Sequence, residues 1–459
     1  VPEQAADLVI LGGGSGGYAC ALRAAELGMS VVLVEKDKLG GTCLHRGCIP
    51  TKALLHAAEV ADHARDGASV GVLSQLIGID MPGVHSYKDG VVSRLYKGLQ
   101  GLVKSRGITL VPGSGTFRGP RSVEVDGPGG TVYTGRNVVL ATGSYARSLP
   151  GLDIGGRIVT SDQALTLDRV PQRAVVLGGG VIGVEFASVW RSFGAEVTVV
   201  EALPRLVPNE DEFASKLLER AFRRRRITAK TGVRFTGAKQ VGDTVTVSLE
   251  SGEELEADVL LVAVGRGPNT TGHGYDEAGL AMDRGFVTTD ERLRTNLDGV
   301  YAVGDIVPGL QLAHRGFQQG IFVAEDIAGL EPEVIDEAGI PRVTYCEPEV
   351  ASVGLTEAQA KERHGEIETL VYDLGGNGKS QILQTSGAVK LVRAKDGPVV
   401  GIHLVGARVG ELIGEAQLVY NWEAEPGDVA PLVHAHPTQS EALGEAHLAL
   451  AGKPLHTHG

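Results

Sequence analysis

Two cysteines carry the clearest redox signal in this chain. They lie five positions apart in Gly40-Gly41-Thr42-Cys43-Leu44-His45-Arg46-Gly47-Cys48-Ile49-Pro50-Thr51-Lys52. A dithiol moves two electrons by making and breaking one S–S bond. Only four cysteines occur in 459 residues (Cys20, Cys43, Cys48 and Cys346), too few for a structural disulfide framework of the secreted kind. An ideal helix would hold such a pair about 8–9 Å apart at Cα, and a disulfide needs less than about 7 Å. The chain must therefore distort near Gly47 for the two sulfurs to meet. Lys52 follows Cys48 by four residues and shares its face if a helix runs there. Zinc is the other use for two cysteines. It favours a shorter Cys-x2–4-Cys spacing with two further ligands, and no second pair exists, so no metal site is expected.

A dithiol needs a scaffold that brings a two-electron carrier to it, and the flanking sequence provides one twice. Leu8-Val9-Ile10-Leu11-Gly12-Gly13-Gly14-Ser15-Gly16-Gly17 leads to Val31-Val32-Leu33-Val34-Glu35. The pattern returns 166 positions later, from Val175-Val176-Leu177-Gly178-Gly179-Gly180-Val181-Ile182-Gly183 to Val197-Thr198-Val199-Val200-Glu201. Each copy reads as strand, Gly-x-Gly-x-x-Gly turn, helix, strand and acid, and the acid falls 23 positions after the first glycine in both. Gly12 and Gly178 permit the tight turn. Gly14 and Gly180 let the backbone approach a pyrophosphate. Gly17 and Gly183 let helix and strand pack closely. The helix N-terminus then offers free N–H groups to the phosphates. Glu35 and Glu201 can accept both ribose hydroxyls and would repel a 2′-phosphate, so Glu201 favours NAD over NADP.

The length implies several domains. Hydrophobic residues make up 42% and charged residues 22%, as in ordinary globular proteins, and the 65 glycines suit an α/β fold with many tight turns. A formal net charge of −13 argues against a nucleic-acid partner. The one basic run, Arg223 to Arg226, reads as a solvated helix end. No apolar run reaches membrane-span length. No signal or transit pattern precedes the first strand, so a cytoplasmic location is expected. Residues 108–143 and 231–265 read as short strands, each ending in a buried strand and a glycine (Ala141-Thr142-Gly143; Val264-Gly265). A further apolar strand ends in Gly304-Asp305, and from about residue 340 strands alternate with helices in an α+β pattern.

Together these motifs resemble the FAD- and NAD(P)-dependent disulfide oxidoreductases over essentially the whole chain. The resemblance implies an α/β protein with two Rossmann-like domains and a C-terminal α+β dimerisation domain. The divisions would be 1–145 for FAD, 146–268 for NAD, 269–338 completing the FAD site, and 339–459 for the dimer interface. It implies that Gly12, Gly14, Gly17, Glu35, Lys52, Gly115, Ala141, Thr142, Gly143, Asp305 and Ala313 serve FAD. Gly178, Gly180, Gly183, Glu201 and Gly265 would serve NAD. Cys48 would lie against the flavin and Cys43 would face the substrate, with Lys52 near flavin N5 and paired with Glu185. The partner subunit's His436 would be the acid/base, oriented by Glu441. That role is chemically apt, since a thiolate is the attacking species, His titrates near neutrality, and a carboxylate raises its basicity. Cys48-Ile49-Pro50-Thr51-Lys52 and His434-Ala435-His436-Pro437-Thr438-Gln439-Ser440-Glu441 are of the type found in family members that oxidise protein-bound dihydrolipoyl groups. Their partners would be the lipoyl domains and acyltransferase core of 2-oxo-acid dehydrogenase complexes. A cis bond before Pro437 is expected, with a helix from about Gln439 and Thr438 near its N-cap.

Three stretches depart from the family's usual residues: His45-Arg46, Gly267, and Gly316-Phe317-Gln318-Gln319. Other branches fit less well. Glutathione and trypanothione reductases favour NADPH, against Glu201. Mercuric and thioredoxin reductases of this build carry a second cysteine pair after the dimerisation domain. Soluble transhydrogenases lack the full dithiol. An NADH-dependent quinone or dye reductase is the alternative enzyme. A structural subunit that only docks into an assembly is the alternative class, and the intact Cys43, Cys48 and His436 set argues against it.

Overall fold

The computed structural model describes residues 3–126 and 130–456. Strand β1 (Glu3–Leu11), helix α1 (Ser15–Glu26) and strand β2 (Val31–Glu35) form the first glycine-turn unit. Leu8, Val9 and Ile10 have no exposed surface, because the parallel sheet is covered on both faces and selects an unbroken apolar run. The sheet has seven strands. Thr109–Pro112, β2, β1 and Thr131–Leu140 run parallel, while Ser122–Val125 and Gly115–Gly119 form an antiparallel flap. The late strand Val300–Ala302 pairs with Thr131–Leu140, which carries Gly304-Asp305 back to the first nucleotide turn.

The second unit is a five-stranded parallel sheet in the order Ile227–Thr231, Glu196–Glu201, Arg173–Leu177, Val259–Val262, Ile158–Thr160, with a three-stranded antiparallel sheet beside it. A short antiparallel pair, Ser144–Ala146 with Arg266–Pro268, crosses between the two units. Gly267 sits in this pair because a Cβ there would fall 2.6 Å from Cζ of the Tyr145 ring. The C-terminal unit is a five-stranded antiparallel sheet covered by helices, including Val409–Asn421 and Glu441–Leu450. One of its strands, Ile367–Asp373, was not anticipated. Most of its residues are at least partly exposed, so it lacks the apolar run of its neighbours. Among the described residues no helix is long and apolar enough to cross a membrane.

Helices α2 (Gly41–Arg46) and α3 (Cys48–Asp66) follow the first unit and meet at Gly47, whose φ of −142° and ψ of −111° break the helix. This is the distortion that the cysteine spacing demands.

Buried charge joins the second unit to the C-terminal one. Lys390 Nζ donates to Asp211 Oδ1 and Glu357 Oε2, each at 2.8 Å, and the Glu357 N–H donates to Asp211 Oδ2 at 2.8 Å. Beside them Arg342 Nε donates to Glu210 Oε1 at 3.2 Å. Arg223, Arg224 and Arg226 are exposed at the helix end as expected, and Arg225 is the exception. It donates to Asp62 Oδ2 of α3 at 2.9 Å and to the Glu347 carbonyl at 3.2 Å, and so ties three units together. Burial alone would push the Asp211 carboxyl up. Lys390 and the N–H groups of Glu357 and Phe213 outweigh it and hold the pKa at about 2. A depressed carboxyl stabilises the fold above its unfolded pKa of about 3.9, and that contribution is lost as pH falls toward about 2. Removing one partner of a buried pair costs roughly 3–5 kcal/mol. Lys390→Met should therefore lower the unfolding temperature by several degrees. Lys390→Met with Asp211→Asn should recover part of the loss, since the amide removes the unpaired charge and its oxygen can still cap the Phe213 N–H. Thermal unfolding of the three proteins checks this, and a double variant no better than the single would refute it.

Candidate active site

The two nucleotide turns are built alike. Gly12 and Gly178 have φ of 108° and 109°, a left-handed conformation that side chains avoid. A Cβ on Gly17 would meet the Gly12 carbonyl oxygen at 1.8 Å, and one on Gly183 the Gly178 carbonyl oxygen at 1.9 Å. The middle glycines differ from these. A Cβ on Gly14 would meet only Gly41 Cα, at 4.0 Å, and one on Gly180 would meet nothing within 4 Å. The turns are thus closed where helix packs on strand and open toward a shared cavity of about 1500 Å³. The two acids also match. Glu35 accepts from the N–H groups of Gly13 and Asp37, and Glu201 from those of Gly179 and Leu203, each at 2.7 Å. Burial raises the Glu35 pKa despite these bonds. The open glycine cradles, the paired carboxylates and the cavity fit two dinucleotides.

The same cavity is lined by Gly115, Ala141, Thr142, Gly143, Gly265, Asp305 and Ala313, and by Cys43, Cys48, Lys52 and Glu185. Asp305 accepts from Ser144 Oγ at 2.5 Å, and Arg266 Nε donates to that hydroxyl at 2.8 Å. The strand pair between the units thereby reaches the Asp305 carboxylate. Thr142 is held by the Asn269 carbonyl at 2.7 Å and sits 2.9 Å from the Tyr275 hydroxyl.

The two thiols are free and unequal. The Cys43 S–H donates to Cys48, and this bond, with help from the Lys52 charge, outweighs burial and lowers the Cys48 pKa to about 7. Donating to Cys48, together with burial, pushes the Cys43 thiol well up. The pair thus holds one proton between two sulfurs, with the thiolate on Cys48. Lys52 Nζ donates to both Glu185 oxygens at 2.9 and 2.8 Å and lies 4.8 Å from the centre of the Tyr345 ring. Burial opposes its charge, but Glu185 outweighs that and raises its pKa. The Tyr345 N–H donates to Glu185 Oε1 at 2.9 Å and holds the carboxylate in place. Tyr345 was not anticipated, since no spacing links it to the cysteines.

His45 lies outside the cavity in a supporting role, while Arg46 lines it. The His45 ring stands 2.9 Å from the Leu39 carbonyl and edge-on to Tyr96, and Arg46 pairs with Asp37.

His436 does not join the dithiol within its own protomer. Its side chain is 78% exposed, and it is absent from the residues lining the cysteine cavity. The His436–Pro437 bond is cis, as expected. The helix begins at Glu441 and not near Gln439. Thr438 still caps it. The Thr438 N–H donates to Glu441 Oε2 at 2.7 Å, and the Glu441 N–H to Thr438 Oγ1 at 3.3 Å, a reciprocal capping box. The other oxygen, Oε1, lies 2.8 Å from His436 Nδ1. Burial would raise the Glu441 pKa, but the Thr438 N–H and His436 lower it, so it is ionised and only accepts. Nδ1 then carries the proton and Nε2 is free to act as base. His434 forms its own pair with Glu415 Oε1 at 2.7 Å.

Residues 6–320 match the family described as pyridine nucleotide-disulphide oxidoreductase, and residues 340–447 match its dimerisation domain. The chain belongs to this family. It is an FAD- and NAD-dependent oxidoreductase that carries the family's dimerisation domain. A dihydrolipoyl dehydrogenase of Bacillus subtilis (strain 168) is 39% identical over 474 residues, covering 98% of this chain and 99% of that one. The mitochondrial dihydrolipoyl dehydrogenase of Pisum sativum is 40% identical over 463 residues, covering 98% and 92%. In solved structures, LpdA from Mycobacterium tuberculosis superposes with a TM-score of 0.90 at 26% identity, covering 98% of this chain and 100% of that one.

Cofactor choice should follow Glu201. Glu201→Gln should weaken NAD by about tenfold, because one charge-assisted hydrogen bond is worth about 1.5–3 kcal/mol, and should narrow the gap to NADP by removing a repulsion. KM values for both cofactors test this. A native enzyme that prefers NADPH would refute it.

Proposed function

We propose that the protein oxidises protein-bound dihydrolipoyl groups and passes the electrons to NAD+. The observation that carries this reading is the Cys43–Cys48 dithiol, set with the Lys52–Glu185 pair in one cavity with two nucleotide turns. The relatives named dihydrolipoyl dehydrogenase support the substrate, and the carboxylate of Glu201 supports NAD over NADP.

In this mechanism the oxidised pair receives the substrate. The partner subunit's His436 takes a proton from the first substrate thiol through Nε2, while Glu441 stabilises the imidazolium. The substrate thiolate attacks the Cys43 sulfur. A mixed disulfide forms and the Cys48 thiolate leaves, held by the Lys52 charge. The second substrate thiol then attacks its neighbouring sulfur, closes the substrate disulfide and expels Cys43. The His436 imidazolium gives its proton to the departing Cys43 sulfur and takes that of the second thiol. Two electrons now reside on the dithiol. Bound FAD supplies the two-electron relay from this dithiol to NAD+. Lys52, Glu185 and Tyr345 hold the positive charge beside Cys48 throughout.

The physiological substrates on this reading are the lipoyl domains of 2-oxo-acid dehydrogenase complexes, with the acyltransferase core as docking partner. A reducing, cytoplasmic setting belongs to the same reading, since it suits four unpaired cysteines. Steady-state turnover with dihydrolipoamide and NAD+, set against NADP+, glutathione disulfide and quinone, tests the function. Turnover on quinone with none on dihydrolipoamide would overturn it in favour of a dye or quinone reductase.

A further inference from the structure

Phe317 stands in the second turn of the helix Ala313–Ile327 and lines the cavity that holds Cys43 and Cys48. Its place is set by backbone contact. A Cβ on Gly316 would lie 2.8 Å from Ser15 Oγ, and one on Gly320 would lie 2.3 Å from the Gly16 carbonyl oxygen. The helix therefore crosses α1 closely, on the Gly16 and Cys20 backbone at Gly320 and on the Ser15 hydroxyl and Gly16 N–H at Gly316. Phe317 cannot shift along α1 without breaking that fit.

The Phe317 ring packs on Tyr18 of α1, with centroids 5.5 Å apart and planes inclined by 51°. Tyr18 is coupled to the dithiol. Burial first, then the negative charge of the dithiol, push its phenol up to about 12, so it stays neutral. The next residues on the helix, Gln318 and Gln319, are also uncharged. Gln319 Oε1 is occupied by the Gly304 N–H at 2.7 Å. Phe317, lining the cavity of the dithiol and backed by Tyr18, offers apolar contact and sulfur–aromatic contact to a substrate there. The two rings offer no counter-charge for a carboxylate, and desolvating one against them would be costly.

Resting on the function proposed above, we propose that Phe317, braced by Tyr18, is a specificity-determining residue for the dithiol substrate. It forms an aromatic wall that accepts an uncharged aliphatic dithiol and disfavours one that carries a carboxylate on its chain. This goes beyond the reaction itself, because it names the element that selects among dithiols.

The test uses the dimeric holoenzyme with Phe317→Leu, Phe317→Ala and Phe317→Glu. The readouts are kcat and KM for dihydrolipoamide, which is neutral, and for dihydrolipoate, which carries a carboxylate. The rate of flavin reduction by NADH and the flavin content report on the cofactor side and on folding. Phe317→Ala should raise KM for dihydrolipoamide by about tenfold with little change in kcat, and Phe317→Leu by less. Phe317→Glu should penalise dihydrolipoate more than dihydrolipoamide, through like-charge repulsion. Reduction by NADH should be unchanged in all three. Unchanged KM in folded Phe317→Ala and Phe317→Glu enzymes overturns the inference alone. A loss confined to the NADH step also overturns it, since Phe317 would then serve the cofactor. A wild-type enzyme reduced by NADH but inert toward dihydrolipoamide overturns the proposed function, and this inference with it.

Discussion

Cys43→Ser and Cys48→Ser should each abolish dithiol turnover, by at least about a thousandfold, and should do so with opposite colours. The loss is large because a hydroxyl cannot form the S–S bond that stores the electron pair. The colours differ because the thiolate resides on only one sulfur. Lys52 and the hydrogen bond from position 43 hold Cys48 near pKa 7. In Cys43→Ser a serine hydroxyl can still donate that bond and the Lys52 charge is unchanged, so Cys48 should keep a lowered pKa and supply a thiolate. A thiolate beside an oxidised flavin gives a long-wavelength charge-transfer band, so this variant should show the band at rest. The band should grow as pH rises through the thiol's pKa and fade below it. Cys48→Ser has no such thiolate and should lack the band at every pH. The check is an absorbance titration of both variants. A band in Cys48→Ser and none in Cys43→Ser would reverse the assignment of the two sulfurs.

The parts of this site that were legible in the sequence are those whose physics is local. A glycine at positive φ, such as Gly12, or one pressed against a carbonyl, such as Gly17, has no substitute. Its position therefore marks the turn, and the acid 23 residues on marks the end of the next strand. The break at Gly47 was legible for the same reason, since two sulfurs five residues apart cannot meet on a straight helix. The Thr438–Glu441 box was visible as a capping pattern. The helix start was still two residues off, because Thr438 caps from a loop position with Gln439 and Ser440 between. Contacts between distant segments were hidden. Arg225 looks like one of four solvated arginines until Asp62, 163 positions away, is brought beside it. Lys390 sits in a strand with no local sign that Asp211 will neutralise it from another unit. Tyr345 meets Lys52 and Glu185 only through the docking of the C-terminal sheet. The resemblance paired Lys52 with Glu185, but spacing alone could not.

His436→Gln should lower turnover on dihydrolipoamide by roughly 10²–10⁴-fold, the usual range for losing a general acid/base. Reduction of the flavin by NADH should be unaffected, because no substrate thiol is deprotonated on that side. Stability should hardly change, since the ring is 78% exposed in the protomer and packs on little besides Glu441. The same exposure makes the stronger claim testable. Within one chain His436 is outside the cavity that holds Cys43, so on the proposed mechanism each working site would draw its thiols from one subunit and its imidazole from the other. A heterodimer of a Cys43→Ser subunit and a His436→Gln subunit then contains one site with both defects and one with neither. Each parent homodimer is inactive, and the purified heterodimer should recover about half the wild-type activity, as expected for one intact site of the two in a twofold dimer. If verified heterodimers stay as inactive as their parents, the thiols and the imidazole act within a single chain. His436 would then have to swing from its exposed position into its own cavity, against the Thr438–Glu441 cap that now holds it.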